Sequence, residues 1–237
     1  MKAQELHEWQ ITPDRAKQIQ QELAGRVSRR NDVGAVRLVA GVDISAPDDR
    51  GLARAASVIL RYPDLTLIEK KVIEQKVTFP YVPGLLSFRE LPLILAACEK
   101  LDNDPDLILV DGQGIAHPRR MGLASHLGLL LNKPTVGCAK SRLCGSHGMV
   151  DSEPGSSSDI IDKSEVIGAA LRTKLGVSPL YVSIGHRVDL EAAIDWVLHC
   201  CRGERLPEPT RLAHLAASGH LKDPESNESG AQIHLAL

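Results

Sequence analysis

The sequence predicts a mixed α/β protein, an antiparallel meander leading into a parallel α/β half, and three observations carry that prediction. Val36–Ser45, Arg54–Tyr62 and Leu65–Val77 read as consecutive strands joined by the short connections Pro47–Gly51 and Pro63-Asp64, as in antiparallel hairpins. Further along, the continuous apolar run Leu107–Val110 and the stretch Thr135–Ala139 alternate with helical patterns, as strands buried on both faces do. The 237 residues are 43% hydrophobic and 24% charged, enough apolar chain to bury a sizeable core.

The first helix opens at Thr12-Pro13-Asp14, where an N-cap threonine is followed by proline at the first helical position and an acid near the positive dipole end. Ile19, Leu23 and Val27 continue one apolar face toward residue 30. After the three strands, the turn-rich Pro80–Gly84 leads to a helix over Ser87–Lys100, and Gly122–Leu131 forms the next. Ser152–Ser158 reads as a loop. A helix over Lys163–Thr173, a strand over Leu180–Ile184 and a helix over Leu190–Arg202 complete the pattern. One domain over 1–218 is expected, with a flexible polar tail over 219–237.

Composition excludes several function classes. The net charge of −2 rules out a wholly basic nucleic-acid binder, so any phosphate-bearing partner must meet a local patch. Such a patch exists: residues 111–150 hold Arg119, Arg120, Lys133, Lys140 and Arg142 against the single acid Asp111. The five cysteines include no C-x-x-C pair and read as inert thiols of a reducing compartment. The N-terminus lacks a hydrophobic signal core and no apolar run is long enough to span a bilayer, which predicts a cytoplasmic protein without a membrane partner.

Two aspartates stand out. Asp43 interrupts the apolar first strand, where a charge is costly unless paired or metal-bound. Asp111 closes the run Leu107–Val110, at the strand end where ligands bind in open α/β sheets. Singly, each reads as an ordinary strand-end acid; together, on adjacent central strands, they point to an oxygen-ligand site for a hard cation. Glu90 has a competing explanation, because Ser87-Phe88-Arg89-Glu90 matches a helix capping box. Tyr81, held between Pro80 and Pro83, is either a ring presented for stacking or a loop anchor. Gly112-Gln113-Gly114 and His117-Pro118-Arg119-Arg120 set glycines and arginines just past a strand, a composition suited to phosphate but lacking the dinucleotide fingerprint. Lys140 ends the next strand, and His214 lies in Leu212-Ala213-His214, where spacing alone assigns it no role.

Three strings in order, Pro80-Tyr81-Val82-Pro83-Gly84 through Glu90, Val110-Asp111-Gly112 through Arg120, and Leu206-Pro207-Glu208-Pro209-Thr210-Arg211, resemble the endonuclease V family over residues 10–218. The resemblance implies a ribonuclease H-like fold with strand order 3-2-1-4-5. It implies Mg²⁺, with Mn²⁺ as a substitute, held by Asp43, Asp111 and Glu90, with Lys140 and His214 near the reacting phosphate. Tyr81 falls in the family's wedge, and backbone at Gly84, Leu86 and Gly112 in its lesion pocket; Arg119, Arg120 and Arg142 are the expected phosphate contacts. The implied reaction is hydrolysis of the second phosphodiester bond 3′ to deoxyinosine in DNA; a monomer is the default expectation for the oligomeric state. An inosine-specific endoribonuclease and a non-catalytic inosine reader are the rival readings.

Overall fold

The computed structural model describes residues 1–222. Its elements run α1 Pro13–Ala24, β1 Leu38–Ile44, β2 Leu52–Arg61, β3 Thr66–Lys76, α2 Leu86–Glu99, β4 Leu107–Val110, α3 Leu123–Leu131, β5 Thr135–Ala139, β6 Ser157–Asp162, β7 Glu165–Leu171, β8 Leu180–His186, α4 Leu190–His199 and α5 Glu208–Ala217. The strands form one sheet in the order β3-β2-β1-β4-β5-β8-β7-β6. The expected order 3-2-1-4-5 is therefore present and is extended by three more strands.

Pairing is parallel only for β1 with β4 and β4 with β5. Along β1 and β4 the side chains alternate between two buried faces, the period-two consequence of the pleat. Val39, Leu107 and Leu109 pack with Val197 of α4 and Ala213 and Ala216 of α5. Ala40, Val42, Ile108 and Val110 pack with Leu91 and Ile94 of α2 and Leu127 of α3. The central strands are covered on both faces and read in sequence as unbroken apolar runs. Among the described residues no helix is long and apolar enough to cross a membrane, and all five cysteines are free.

Two expectations are corrected, and one helix joins the expected elements. Lys163–Thr173 is not a helix: β7 pairs antiparallel with β6, which begins inside the segment read as a loop. Lys163 and Ser164 form the hairpin turn with φ of 53° and 65°, left-handed values usually marked by glycine or asparagine, so the turn carried no sequence signal. β8 runs antiparallel to β5, because the chain arrives through that hairpin and not through a crossover helix. Residues 208–217 form α5, whose Pro209 is tolerated in the first turn, where no N–H partner is needed. Of the tail expected over 219–237, residues 219–222 are described. Gly219, with φ +80°, turns the chain back, and Lys70 donates to the Leu221 carbonyl at 2.9 Å; 223–237 lie outside the described residues.

Candidate active site

Strand register builds the centre of the site. Val42 on β1 sits beside Val110 on β4, and the Asp111 N–H donates to the Val42 carbonyl at 3.3 Å. The next residue on each strand is an aspartate, so Asp43 and Asp111 emerge side by side at the same sheet edge. Both are largely enclosed, with side-chain exposures of 10% and 12%.

α5 lies across β1 at Gly41. A Cβ at Gly41 would sit 1.9 Å from the Pro209 carbonyl oxygen, so only glycine permits this approach. The helix thereby delivers His214, whose Nδ1 lies 2.8 Å from Asp43 Oδ2, while Asp43 Oδ1 accepts the Ile44 N–H at 2.8 Å. From β5, Lys140 Nζ reaches Asp111 Oδ2 at 2.5 Å. Ligand atoms of Asp43, Asp111 and His214 all fall within 4.8 Å of one another.

Glu90 comes from α2 on the opposite side. The capping box does not form: the helix begins at Leu86 after Leu85, and the Ser87 hydroxyl lies 3.1 Å from His126 Nδ1 instead. Burial, then the charges of Asp43 and Asp111, push the Glu90 carboxyl up to about 8. The Asp43 carboxyl is raised by burial and by Asp111. The carboxyl groups of Asp43, Glu90 and Asp111, with Lys140 and His214 as neighbours, form an oxygen-rich set in which burial and like charge raise Asp43 and Glu90. That donor set fits a hard divalent cation, which offsets the repulsion that otherwise favours protonation.

Beside this cluster opens a cavity of about 380 Å³ whose lining includes Tyr81, Leu86, Gly112, Lys140 and Arg142. Tyr81 is 73% exposed, whereas its neighbours Phe79 and Leu85 are buried at 6% and 1%. Phe79 and Leu85 anchor the loop, and Tyr81 is the ring it presents.

The loop is held by a network around one carbonyl. The Gly84 oxygen accepts from Gln20 Nε2 at 3.0 Å, His117 Nε2 at 3.0 Å and Arg119 Nη2 at 2.7 Å. Gln20 also donates to the Met121 carbonyl at 3.0 Å and accepts from Arg119 Nε at 2.6 Å. His117 Nδ1 accepts the Arg119 N–H at 3.1 Å, which fixes the neutral tautomer with its proton on Nε2. Burial and the nearby Arg119 hold this imidazole down to about 4.

The structure thus gathers Asp43, Glu90, Asp111, Lys140 and His214 at one edge, with Tyr81, Gly84, Leu86, Gly112 and Arg142 around the adjoining cavity. Arg119 donates to Gly84 and Gln20 and so braces the Tyr81 loop, whereas Arg120 pairs with Asp162 at 2.8 Å and Glu165 at 2.7 Å at the β6–β7 hairpin. Gln20 escaped the sequence reading, although a polar residue on the apolar stripe of Ala16, Ile19 and Leu23 is a usable signal.

Comparison with known proteins agrees with this arrangement. Residues 21–215 match the family model described as Endonuclease V. The chain is 53% identical to Endonuclease V of Dehalococcoides mccartyi over 218 residues, covering 92% of this chain and 98% of that one. The crystal structure of the Bacillus subtilis endonuclease V superposes with a TM-score of 0.88 at 33% identity, covering 92% of this chain and 96% of the other. The Ciona intestinalis Endonuclease V, solved with a 24mer DNA containing an inosine followed by a ribo-adenosine, superposes with a TM-score of 0.75 at 29% identity, over 87% and 96% of the two chains. On motifs, sheet order and sequence identity alike, the chain belongs to the endonuclease V family.

Proposed function

We propose that this protein is a metal-dependent DNA repair endonuclease that recognises deoxyinosine and hydrolyses the second phosphodiester bond on its 3′ side, leaving 3′-hydroxyl and 5′-phosphate ends. The observation that carries the reading is the adjacency of the acidic cluster Asp43–Asp111–His214 to a cavity guarded by the exposed Tyr81. A nuclease of this kind needs a carboxylate cluster facing phosphate beside a pocket for an extruded base. The Ciona relative's complex with inosine-containing DNA supports the substrate class.

Asp43 and Asp111, with Glu90, would hold Mg²⁺, for which Mn²⁺ substitutes. When bound, such an ion makes a water more acidic and neutralises charge on the phosphate. Lys140, set against Asp111, stabilises the charge that develops at phosphorus. His214 engages Asp43 through Nδ1, which leaves Nε2 to orient the attacking water or take its proton. Hypoxanthine pairs poorly with thymine, so extruding it costs little, and Tyr81 fills the space it leaves. Backbone around Gly84, Leu86 and Gly112 walls the base pocket, and the exposed Arg142 at its rim meets phosphate. We read the enzyme as a cytoplasmic monomer.

A second reading, cleavage of inosine-containing RNA, draws support from the ribo-adenosine in the Ciona complex. End-labelled DNA and RNA oligonucleotides with one inosine, incubated with Mg²⁺ or with chelator, separate the two. Metal-dependent nicking of the DNA at the second 3′ bond is the expected result. Cutting of RNA alone transfers the activity to RNA, and cutting of neither overturns the nuclease assignment.

A further inference from the structure

We propose that Arg205 is a positioning residue that sets Lys140 against Asp111 and couples it to the helix bearing His214, an inference that rests on the nuclease reading. Arg205 lies in the connection between α4 and α5, outside the acidic cluster and outside the cavity lining. Its Nη2 donates to two carbonyls at the end of the sheet, Lys140 at 2.6 Å and Pro179 at 2.8 Å. These flank neighbouring strands, since Ala139 at the end of β5 pairs with Tyr181 in β8. One guanidinium therefore clamps the chain at the point where Lys140 leaves the strand.

The clamp is itself held. Thr173, 7% exposed, donates through Oγ1 to the Arg205 carbonyl at 2.7 Å. Two residues on, Pro207 caps α5, the Glu208 N–H donates to the Cys200 carbonyl at 2.8 Å, and Pro209 seats on Gly41. A short path of fixed groups thus runs from the Lys140 backbone through Arg205 and α5 to His214 and Asp43.

Arg205 Nε is buried and makes no hydrogen bond, and leaving a buried donor unpaired is unfavourable. The site tolerates that penalty while the far end of the guanidinium holds the two carbonyls. The Lys140 side chain is 41% exposed and flexible, so its 2.5 Å contact with Asp111 gains from a fixed point of departure on the backbone.

The test is a double-mutant cycle on Arg205→Met and Lys140→Ala, read as single-turnover cleavage of an inosine-containing DNA oligonucleotide. Arg205→Met is expected to lower the rate at saturating DNA by roughly tenfold or more in the parent, with KM within about twofold. In the Lys140→Ala background the same change is expected to cost less than about threefold, because coupled residues are not additive. Arg205→Lys, which keeps a donor on a long stem, is expected to recover part of the rate and serves if the methionine variant does not fold. Equal losses in both backgrounds overturn the proposal.

A second readout does not depend on activity. Amide exchange over residues 138–143, followed by mass spectrometry, is expected to quicken in Arg205→Met while the β1 segment stays protected. Unchanged exchange there overturns the clamp. A parent enzyme that cuts no inosine DNA, with exchange quickened as expected, instead condemns the nuclease reading and leaves the clamp standing.

Discussion

Replacing Gln20 by leucine tests the network that holds the Tyr81 loop. The side chain is 1% exposed and makes three hydrogen bonds, to the Gly84 carbonyl, the Met121 carbonyl and Arg119 Nε. Leucine preserves the volume and removes all three. Gly84 keeps its donors from His117 and Arg119, whereas the Met121 oxygen and Arg119 Nε lose their partner. Each buried group so exposed costs about 1–3 kcal/mol, and more when charged. Added apolar burial returns about 1–2 kcal/mol, which leaves a net loss of about 2–4 kcal/mol. For a chain of this size each kcal/mol lowers Tm by about 2–4 °C, so a drop of about 4–16 °C is expected in a thermal melt. Below that Tm, affinity for inosine DNA should fall while metal affinity holds, because the network contacts the loop and not the acids. A Tm within about 2 °C of the parent would refute the reasoning, since it would mean that these bonds carry no net stability.

Other predictions follow from the same geometry. The Glu90 carboxyl titrates near 8 when folded against an ordinary value of 4.5, so its contribution is full below pH 4.5 and is lost as pH rises through 8. Metal-free Glu90→Gln should therefore be the more stable protein at pH 8, by up to about 4 kcal/mol in denaturant unfolding, and should match its parent near pH 4; added Mg²⁺ should narrow the gap. His126 is held down to about 3 by burial and by His7, whose Nε2 lies 2.7 Å from its own Nε2. Its contribution is intact above pH 6.5 and falls on acidification by up to about 1.4 kcal/mol per pH unit, a slope that His126→Gln should lose. Tyr81→Ala should weaken binding of inosine DNA by about 1–3 kcal/mol in anisotropy titrations while leaving metal affinity unaltered; unchanged lesion binding would contradict the wedge role. Arg142→Gln should flatten the salt dependence of DNA affinity by about one unit of slope.

Legibility followed the physics of each element. Asp43 and Asp111 were readable because a charge at the edge of a two-sided apolar strand is costly enough to demand a reason, and parallel register then forces the two together. Glu90 shows the opposite case: its local motif is a sound capping box, and the tertiary packing that begins the helix at Leu86 overrides it. The β6–β7 hairpin hid behind Asp162-Lys163-Ser164-Glu165, whose residues advertise no left-handed turn. Arg119 and Arg120 read as phosphate contacts, and composition reports their charge but not the carboxylates and carbonyls that they meet after folding. Gln20 and Arg205 were invisible for a related reason, since each acts through main-chain groups of distant segments.

The seat of α5 on Gly41 has a consequence for synthesis. The acid pair comes from residues 43 and 111, and Lys140 follows, but the histidine that completes the cluster is carried by α5, the last helix among the described residues. A chain still emerging from the ribosome can assemble β1, β4 and β5 while the groove over Gly41 stands open. Only when residues 208–217 have cleared the exit tunnel can α5 close it and bring His214 to Asp43. Docking of that helix on Gly41, and not formation of the sheet, is the event that completes the cluster.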